Sequence, residues 1–340
     1  MYRNNRPVAM RQLIGNTPLV HLRTLSEKYG FTIYAKLEAQ NLGGSLKDRS
    51  AFNMLETAIH EGKIQRGATI VESSSGNMGI GLAQACAHYG MRLICVVDAR
   101  TNQANIKIMK AYGAKVEYIT KPLHEGGSLL EARLAKVRSI LDSKPGCFWP
   151  NQYANTANPR AHHGTMAEID LALGGNVDYL FVATGTCGTL RGCSEYVHQH
   201  AMKTRIMAVD AVGSVIFGGT SLPRLVPGHG AAVRPAIFKL GLADEVVYAS
   251  DADCVRGCQA LVSQETILAG GSTGALVSAM HFVAPRIPKD STVVLVCPDR
   301  GERYIDTIYD EEWVAEHFPG LGILQDVPQC SPDPEYAPQL

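Results

Sequence analysis

Residues 71–83 read VESSSGNMGIGLA, in which three serines, a glycine and an asparagine stand directly before an apolar run. The preceding β-branched residues predict a strand that ends near Ser73, and the apolar run predicts a buried helix. One small polar residue is enough to cap a helix start. Because a helix N-terminus also presents free N–H groups and a positive dipole end, the remaining groups favour an anionic ligand.

Two other loops of small residues stand at predicted helix starts, GTCGT (185–189) and GGSTG (270–274). Glycines let a backbone approach a ligand closely, and hydroxyls add donors without bulk. A well-capped helix explains any one of these loops, whereas three together favour a ligand with several anionic groups. The loop at 185–189 lacks both the P-loop lysine and the dinucleotide glycine spacing, which disfavours a nicotinamide-dependent oxidoreductase.

Short apolar strands alternate with helical patterns along the chain, as in parallel α/β sheets. A Pro/Asn-rich connector, PNQYANTANPR (150–160), separates two such series, so we expect two lobes, each with a twisted, mostly parallel sheet flanked by helices. The strand candidates are FTIYAKLE, ATIVES, RLICVVD, KVEYIT, YLFVAT, RIMAVD, EVVYAS and TVVLVCPD.

Composition excludes several classes of function. The formal net charge is +0 and no basic stripe occurs, so nucleic-acid binding has no electrostatic support. We predict no membrane span and no signal peptide, and therefore a cytoplasmic chain. The nine cysteines include no CxxC pair, which indicates reduced thiols. His162 and His163 are adjacent on a predicted helix, where their side chains point about 100° apart, so they are not expected to bind one metal ion together.

Lys47 lies in NLGGSLKDRS (41–50), just after a Gly-Gly-Ser turn and at a predicted helix start. An ammonium there opposes the helix dipole, which favours the neutral amine needed for a nucleophile or a Schiff base. A solvated lysine balanced by Asp48 is an equally good interpretation of this stretch alone.

Taken in order, NxGGSxKDR, SSGN, the Gly/Thr loop, GGSTGA and PDRGERY resemble the fold-type II pyridoxal-phosphate enzymes, which share a tryptophan synthase β-like fold. Cysteine synthase and cystathionine β-synthase are members, and the resemblance covers residues 10–310. It implies a larger cofactor-binding lobe (1–40 with 155–322), a smaller mobile substrate-loop lobe (41–154), and a tail (323–340) that we predict to be disordered. Homodimers are usual in the family.

The resemblance also implies a role for each matching residue. Lys47 would hold the cofactor covalently and act as the base at the substrate Cα, and Asn77 would bind the pyridoxal 3′-oxygen. Ser272 would face the pyridine nitrogen, and because a hydroxyl does not force that nitrogen to be protonated, β-elimination is favoured over transamination. The loop for the 5′-phosphate would be Gly185, Thr186, Cys187, Gly188 and Thr189. The substrate-binding residues would be Ser74, Ser75, Met78, Arg133, Gln152 and Tyr153.

Several segments resemble one branch of this family, among them NQYAN (151–155), LVPGHGA (225–231) and PDRGERYIDTIY (298–309). That branch joins O-phospho-L-serine to L-glutamate, giving N-(2-amino-2-carboxyethyl)-L-glutamate, a precursor of L-2,3-diaminopropionate for a siderophore or a peptide antibiotic. Met78 supports this branch, since cysteine synthases tend to have threonine there. Arg133 and Tyr153 match the positions that bind the donor phosphate, although an exposed helical arginine is the simpler interpretation of Arg133 alone.

One departure leaves alternatives open. The branch has a serine at the position of Gly185, and Cys187 replaces a threonine nearby. A cysteine synthase using O-acetylserine or O-phosphoserine with sulfide therefore remains an alternative, as does a serine/threonine dehydratase, whereas the intact Lys47, Asn77 and Ser272 disfavour a silent scaffold. Glutamate would need two carboxylates neutralised; Arg300 is one candidate, although a surface ion pair with Glu302 or Asp299 is favoured.

Overall fold

The computed structural model describes residues 9–125 and 127–321, which form ten α-helices and ten β-strands in two sheets. The tail predicted to be disordered, residues 323–340, lies outside the described residues. An α/β architecture with two sheets confirms the fold class expected from the alternating pattern.

The larger sheet has six strands. Its order across the sheet is β1 (Leu19–His21), β2 (Thr32–Leu37), β10 (Thr292–Cys297), β7 (Tyr179–Ala183), β8 (Arg205–Ala211) and β9 (Glu245–Ala249). Every neighbouring pair is parallel except β1 with β2, an antiparallel edge pair. In the register of the central strands, Val294 lies between Tyr34 and Leu180.

The smaller sheet has four parallel strands. Its order is β5 (Lys115–Ile119), β4 (Arg92–Asp98), β3 (Thr69–Ser73) and β6 (Cys147–Phe148). These strands fall within the predicted smaller lobe, and those of the larger sheet fall outside it. The mobility of the smaller lobe stays a prediction.

The helices cover the sheets. They are α1 (Arg23–Tyr29), α2 (Lys47–His60), α3 (Asn77–Tyr89), α4 (Gln103–Ala111), α5 (Leu129–Ser143), α6 (Ala157–Leu173), α7 (Gly188–Gln199), α8 (Asp251–Glu265), α9 (Gly271–Val283) and α10 (Glu311–His317). Four of them, α2, α3, α7 and α9, begin at or within the small-residue segments, as predicted. The sequence therefore places its polar loops at helix N-termini.

The central strand β10 shows why the apolar runs are continuous. Val293 and Leu295 pack into one core cluster, while Val294 and Val296 pack into another on the opposite face. In the smaller sheet Ile70 and its successor Val71 divide in the same way between two clusters. Strands buried on both faces need no polar alternation, which is the pattern of a parallel sheet covered by helices.

All eight predicted strands are present, and the two short strands β1 and β6 were missed. A run of two or three residues gives too little periodicity to be recognised. Within residues 9–125 and 127–321, no helix has the length and apolarity to cross a bilayer, and no group of three His, Cys, Asp or Glu residues is arranged to hold a metal. The eight described cysteines are free thiols.

Candidate active site

Lys47 is the first residue of α2 and is partly buried. Burial lowers the pKa of its amine to about 8, because the charged form loses water, while the negative charge of Asp299 acts in the opposite direction. A pKa near 8 leaves a useful fraction of neutral amine at physiological pH, which suits a lysine that must act as a nucleophile and a base.

Asp299, directly after β10, organises the groups around Lys47. Its Oδ2 accepts hydrogen bonds from Asn77 Nδ2 and from Tyr304 OH, both at 2.7 Å, while its Oδ1 is buried without a hydrogen-bond partner among the described residues. Burial raises the pKa of this carboxyl, opposed first by those two hydrogen bonds. Asn77 Oδ1 also accepts a hydrogen bond from Arg303. The predicted cofactor contact of Asn77 thus lies within a charged, buried network.

The loop at 185–189 joins the carboxyl end of β7 to the start of α7, the usual position for a ligand in a parallel sheet. Cys187 adopts a left-handed conformation with φ 64, which turns the chain into the helix. A side chain at Gly188 would collide with Asn158 of α6, so only glycine allows this close approach.

Two buried residues of α6 fix this loop to α2. Asn158 donates to Thr186 Oγ1 at 3.2 Å and accepts from Ser50 Oγ at 2.7 Å. The Nε2 of His162 lies 3.0 Å from Ser50 Oγ and 3.4 Å from Thr189 Oγ1. Burial holds the pKa of His162 well below its ordinary value, as does the charge of Lys47. His162 is therefore a neutral hydrogen-bonding residue.

Ser272 lies in the first turn of α9 and is buried. A side-chain carbon on Gly228 would lie 3.5 Å from its Oγ, and one on Gly185 would lie 3.8 Å from the Gly228 carbonyl. Gly228 has φ +114, a conformation that glycine tolerates. The segment around Gly228 therefore connects the loop at 185–189 with the hydroxyl predicted to face the pyridine nitrogen.

The serines of the 73–77 loop divide their roles. Ser74 Oγ accepts the backbone N–H of Gly79 at 3.0 Å, so it satisfies one of the free amides in the first turn of α3. Ser75 Oγ accepts a hydrogen bond from the Arg133 guanidinium of α5. Arg133 also lies 3.3 Å from Asp98, measured from its Nε to Oδ2. Arg133, for which the sequence alone favours an exposed position, therefore contacts the predicted substrate loop.

Glu72, the fourth residue of β3, supports the neighbouring Gln152 and Tyr153. Its Oε1 accepts from Trp149 Nε1 and from the Ser73 amide, both at 2.9 Å, and its Oε2 accepts the Gln152 amide at 3.3 Å. Burial raises the pKa of Glu72 to about 7, with these donors acting in the opposite direction. This one carboxyl holds the Gln152 turn beside the 73–77 loop.

Met78 does not lie with the polar groups. It is buried in the core cluster of the smaller lobe, together with Leu82 and Met109. Its predicted substrate contact stays a prediction.

Sequence reasoning missed several residues that build the site. They are Ser50, Glu72, Asn158, Arg303 and Tyr304. Ser50, Glu72, Arg303 and Tyr304 stand in or beside segments singled out in the sequence, and Asn158 stands in the Pro/Asn-rich connector. Their roles were missed because, except for Tyr304, each supports the site through a hydrogen bond to a residue far along the chain.

Comparison with known proteins fits this geometry. The family described as pyridoxal-phosphate dependent enzyme matches residues 10–299. The chain belongs to that family. It is therefore a pyridoxal-phosphate-dependent enzyme of the β-substitution type.

A relative from Ralstonia nicotianae, an N-(2-amino-2-carboxyethyl)-L-glutamate synthase, is 42% identical over 303 residues, covering 89% of each chain. The cysteine synthase of Entamoeba histolytica superimposes with a TM-score of 0.84 at 31% identity, covering 93% of this chain and 97% of that one. The O-acetylserine-dependent cystathionine β-synthase of Helicobacter pylori gives 0.82 at 31% identity, covering 90% and 99%.

The residues present fit pyridoxal phosphate. The charge of Asp299 acts on Lys47, and the Asp299 carbonyl accepts the amide of Gly270 at the start of α9, which carries Ser272. Gly228 lies beside Ser272 and near the 185–189 loop, and His162 joins that loop to α2. Together these elements offer an amine for the aldehyde, a helix N-terminus for the phosphate and a hydroxyl for the ring nitrogen. The buried, unpartnered Asp299 Oδ1 leaves further hydrogen-bonding capacity at this centre.

Proposed function

We propose that this enzyme joins O-phospho-L-serine to L-glutamate and forms N-(2-amino-2-carboxyethyl)-L-glutamate and inorganic phosphate. The Cβ–O bond of the donor breaks, and phosphate leaves with the bonding electron pair. The glutamate amino nitrogen then forms a bond to the same Cβ and loses one proton. The Cα proton that leaves first returns at the end, so the exchange is a net substitution at Cβ.

The observation that carries this proposal is the hydrogen bond between Arg133 and Ser75. It brings a guanidinium to the loop predicted to bind the donor amino acid. A planar guanidinium matches a phosphate better than it matches the neutral acetyl ester of O-acetylserine. The name of the Ralstonia relative supports the same product.

Bound pyridoxal phosphate supplies an electron sink for the charge that develops at the substrate Cα. The residues of the chain do the rest. Lys47, with an amine pKa near 8, takes the Cα proton and later returns it. The amides and hydroxyls at the start of α3 bind the donor α-carboxylate, and Arg133 stabilises the phosphate as it leaves.

The Gln152 amide donates to the carboxylate of Glu72, directly before the 73–77 loop. We propose that the Gln152 side chain binds the donor α-carboxylate and that the Tyr153 hydroxyl binds its phosphate. Because the Ser272 hydroxyl is neutral, it does not force the pyridine nitrogen to be protonated, which favours elimination and addition over transamination. Asn77, Thr186 and Thr189 would hold the cofactor ring and phosphate.

We propose a cytoplasmic homodimer that supplies a precursor of L-2,3-diaminopropionate for a siderophore or a peptide antibiotic. The usual assembly of the family supports the dimer. The nitrogen that becomes the β-amino group comes from glutamate, so a later oxidative cleavage has to release it.

One observation favours a second function. Gly185 has no hydroxyl to add to a donor phosphate site. A cysteine synthase that uses O-acetylserine or O-phosphoserine with sulfide would not need that group. A serine/threonine dehydratase, with water in place of an acceptor, is the remaining alternative.

The deciding experiment crosses two donors with three acceptors and measures the products by mass spectrometry. O-phosphoserine and O-acetylserine are each combined with glutamate, sulfide or water, and Lys47→Ala serves as the inactive blank. We expect N-(2-amino-2-carboxyethyl)-L-glutamate from phosphoserine with glutamate as the fastest product. Cysteine as the fastest product would establish the second function, and pyruvate as the fastest product would establish elimination without an acceptor, the chemistry of the dehydratase alternative.

A further inference from the structure

The loop between β8 and β9, residues 212–244, carries an arginine that the proposed mechanism does not use. Arg224 is partly buried, and its Nη1 donates to the Gly213 carbonyl at 2.8 Å. Among the residues that the structure describes, no acidic side chain lies within ion-pair distance of its guanidinium, although its positive charge acts on the buried carboxyl of Asp210 in β8. The other N–H groups of its fork are therefore available for a carboxylate.

The backbone beside Arg224 is fixed rather than loosely exposed. The amides of Leu225 and Val226 donate to the Asp251 carboxylate at 2.8 Å and 3.0 Å. Asp251 is the first residue of α8, where the helix dipole stabilises a negative charge. These hydrogen bonds fix the backbone that carries the Arg224 guanidinium.

That position is at the edge of the cofactor site. A side-chain carbon on Gly230 would lie 3.3 Å from the Arg224 guanidinium carbon. The amide of Gly230 donates to the Thr184 carbonyl at 2.6 Å, directly before the 185–189 loop. Arg224 therefore lies over the carboxyl ends of β7 and β8, where ligands of parallel sheets bind.

Arg224 and Arg133 both act on the same phenol. Burial raises the pKa of Tyr153, and the charges of Arg133 and Arg224 both act in the opposite direction. Arg133 comes from α5 of the smaller lobe, and Arg224 comes from the larger lobe. The Tyr153 carbonyl also accepts the Ile237 amide at 3.1 Å, which ties the far part of the β8–β9 loop to this residue.

We infer that Arg224 is the specificity residue for the second substrate and binds the side-chain carboxylate of an acidic amino-acid acceptor. This inference rests on the proposed function. The donor needs one cation for its phosphate, which Arg133 supplies from the side of the 73–77 loop. An acidic acceptor brings a second anion, and desolvating it without a cation would be costly.

The other candidate for this role is placed elsewhere. Arg300 donates from Nε to the Ala39 carbonyl at 2.9 Å and lies against Gly44. It contributes to the packing of the turn before α2. Arg224 instead lies at the carboxyl end of β8, bonded to the Gly213 carbonyl and close to Gly230.

The test compares acceptors in the cofactor-loaded enzyme. Arg224→Gln should lower kcat/KM for glutamate by about 30-fold, the usual effect of losing a charged hydrogen-bonded pair. The kcat/KM for sulfide, which has no carboxylate, should change by less than about two-fold. The preference for glutamate over glutamine should fall to near unity, and Arg224→Lys should recover part of it.

Two controls separate this role from a structural one. Arg234→Gln removes another arginine of the same loop, one that donates to the Ile216 carbonyl and lies over Phe238, and it should leave the acceptor preference unchanged. The absorbance change of the cofactor on addition of donor alone should be the same in Arg224→Gln and the wild type.

Equal losses with glutamate, glutamine and sulfide would show that Arg224 merely holds the loop, and an unchanged glutamate rate would also overturn the inference. A wild type that converts sulfide and never joins glutamate would instead refute the proposed function, and the role of Arg224 with it. The two failures therefore give different results.

Discussion

The loops at 73–77 and 185–189 have nearly the same composition, and the structure supports them in different ways. The 185–189 loop rests on Asn158 and His162, two uncharged side chains that are each 1% exposed. The 73–77 loop is held by Arg133, which donates to Ser75, and by Arg303, which donates to Asn77, and both arginines are only partly buried.

The difference follows from what each loop is proposed to hold. A resident phosphate stays in place through every turnover, so its loop gains from a fixed, neutral support. An amino-acid substrate must enter and leave, and the cations around its loop can exchange a hydroxyl or amide partner for a substrate anion. Neutral buried groups therefore support the loop proposed to hold the cofactor phosphate, and charged groups support the loop proposed to bind the substrate and, through Asn77, the cofactor ring.

The largest effect in this comparison is expected for Arg133→Ala. Removing the guanidinium leaves the donor phosphate without its cation, so kcat/KM for O-phosphoserine should fall about 100-fold. O-acetylserine has no charge on its leaving group, and its kcat/KM should fall by less than about five-fold. Steady-state kinetics with both donors measures the ratio.

Arg138→Ala is the matched control, because Arg138 lies on the same helix and is exposed. It should alter neither donor. If Arg133→Ala lowered kcat/KM equally for both donors, Arg133 would not bind the phosphate and would only support the 73–77 loop.

A smaller effect is expected for Asn158→Ala on the cofactor side. The substitution removes the donor to Thr186 Oγ1 and leaves Ser50 without its acceptor, so the 185–189 loop loses its main support. We expect about ten-fold weaker binding of pyridoxal phosphate, measured by absorbance titration of the cofactor-free protein.

Asn155→Ala provides the control three residues earlier. The Asn155 side chain donates to the Pro150 carbonyl and accepts from the Ala157 amide, so its hydrogen bonds do not reach the 185–189 loop. An unchanged cofactor affinity in Asn158→Ala, with both variants folded as judged by thermal melting, would contradict the proposed division between the loops.

The fold was predictable because its signals are local. The continuous apolar runs gave all eight longer strands, and the Gly/Ser/Thr segments gave the starts of α2, α3, α7 and α9. β1 and β6 were missed because two or three residues pair only through the neighbouring strand, and that pairing leaves no periodicity in the sequence.

The site was predictable where a motif touches the ligand and not where a residue supports the motif. Lys47 and Ser272 stand in segments that match a known motif, whereas the sequence around Glu72 indicates only the polar end of a strand. Arg224 sits in a loop whose path over the sheet depends on the distant Asp251. Such roles arise from contacts between elements far apart in the chain, which composition and spacing do not encode.

The smallest effect belongs to Glu72→Gln, and it tests whether a neutral group can replace a charged one beneath the substrate loop. Glutamine keeps the size of the side chain but turns one acceptor oxygen into an NH₂ group that faces N–H donors. The carboxylate of Glu72 now accepts from Trp149, Ser73 and Gln152, so one of these contacts becomes repulsive. We expect KM for the donor to rise about five-fold, with kcat within about two-fold.

Because Glu72 acts through the turn at Gln152, which is proposed to bind the α-carboxylate common to both donors, O-phosphoserine and O-acetylserine should be affected equally. That outcome differs from the selective loss expected for Arg133→Ala. Glu117→Gln, on β5 of the same sheet and paired with Lys115 at the surface, should leave both KM values unchanged. A loss confined to O-phosphoserine would place Glu72 with the phosphate-binding groups and would remove the distinction between supporting and binding residues on this side of the site.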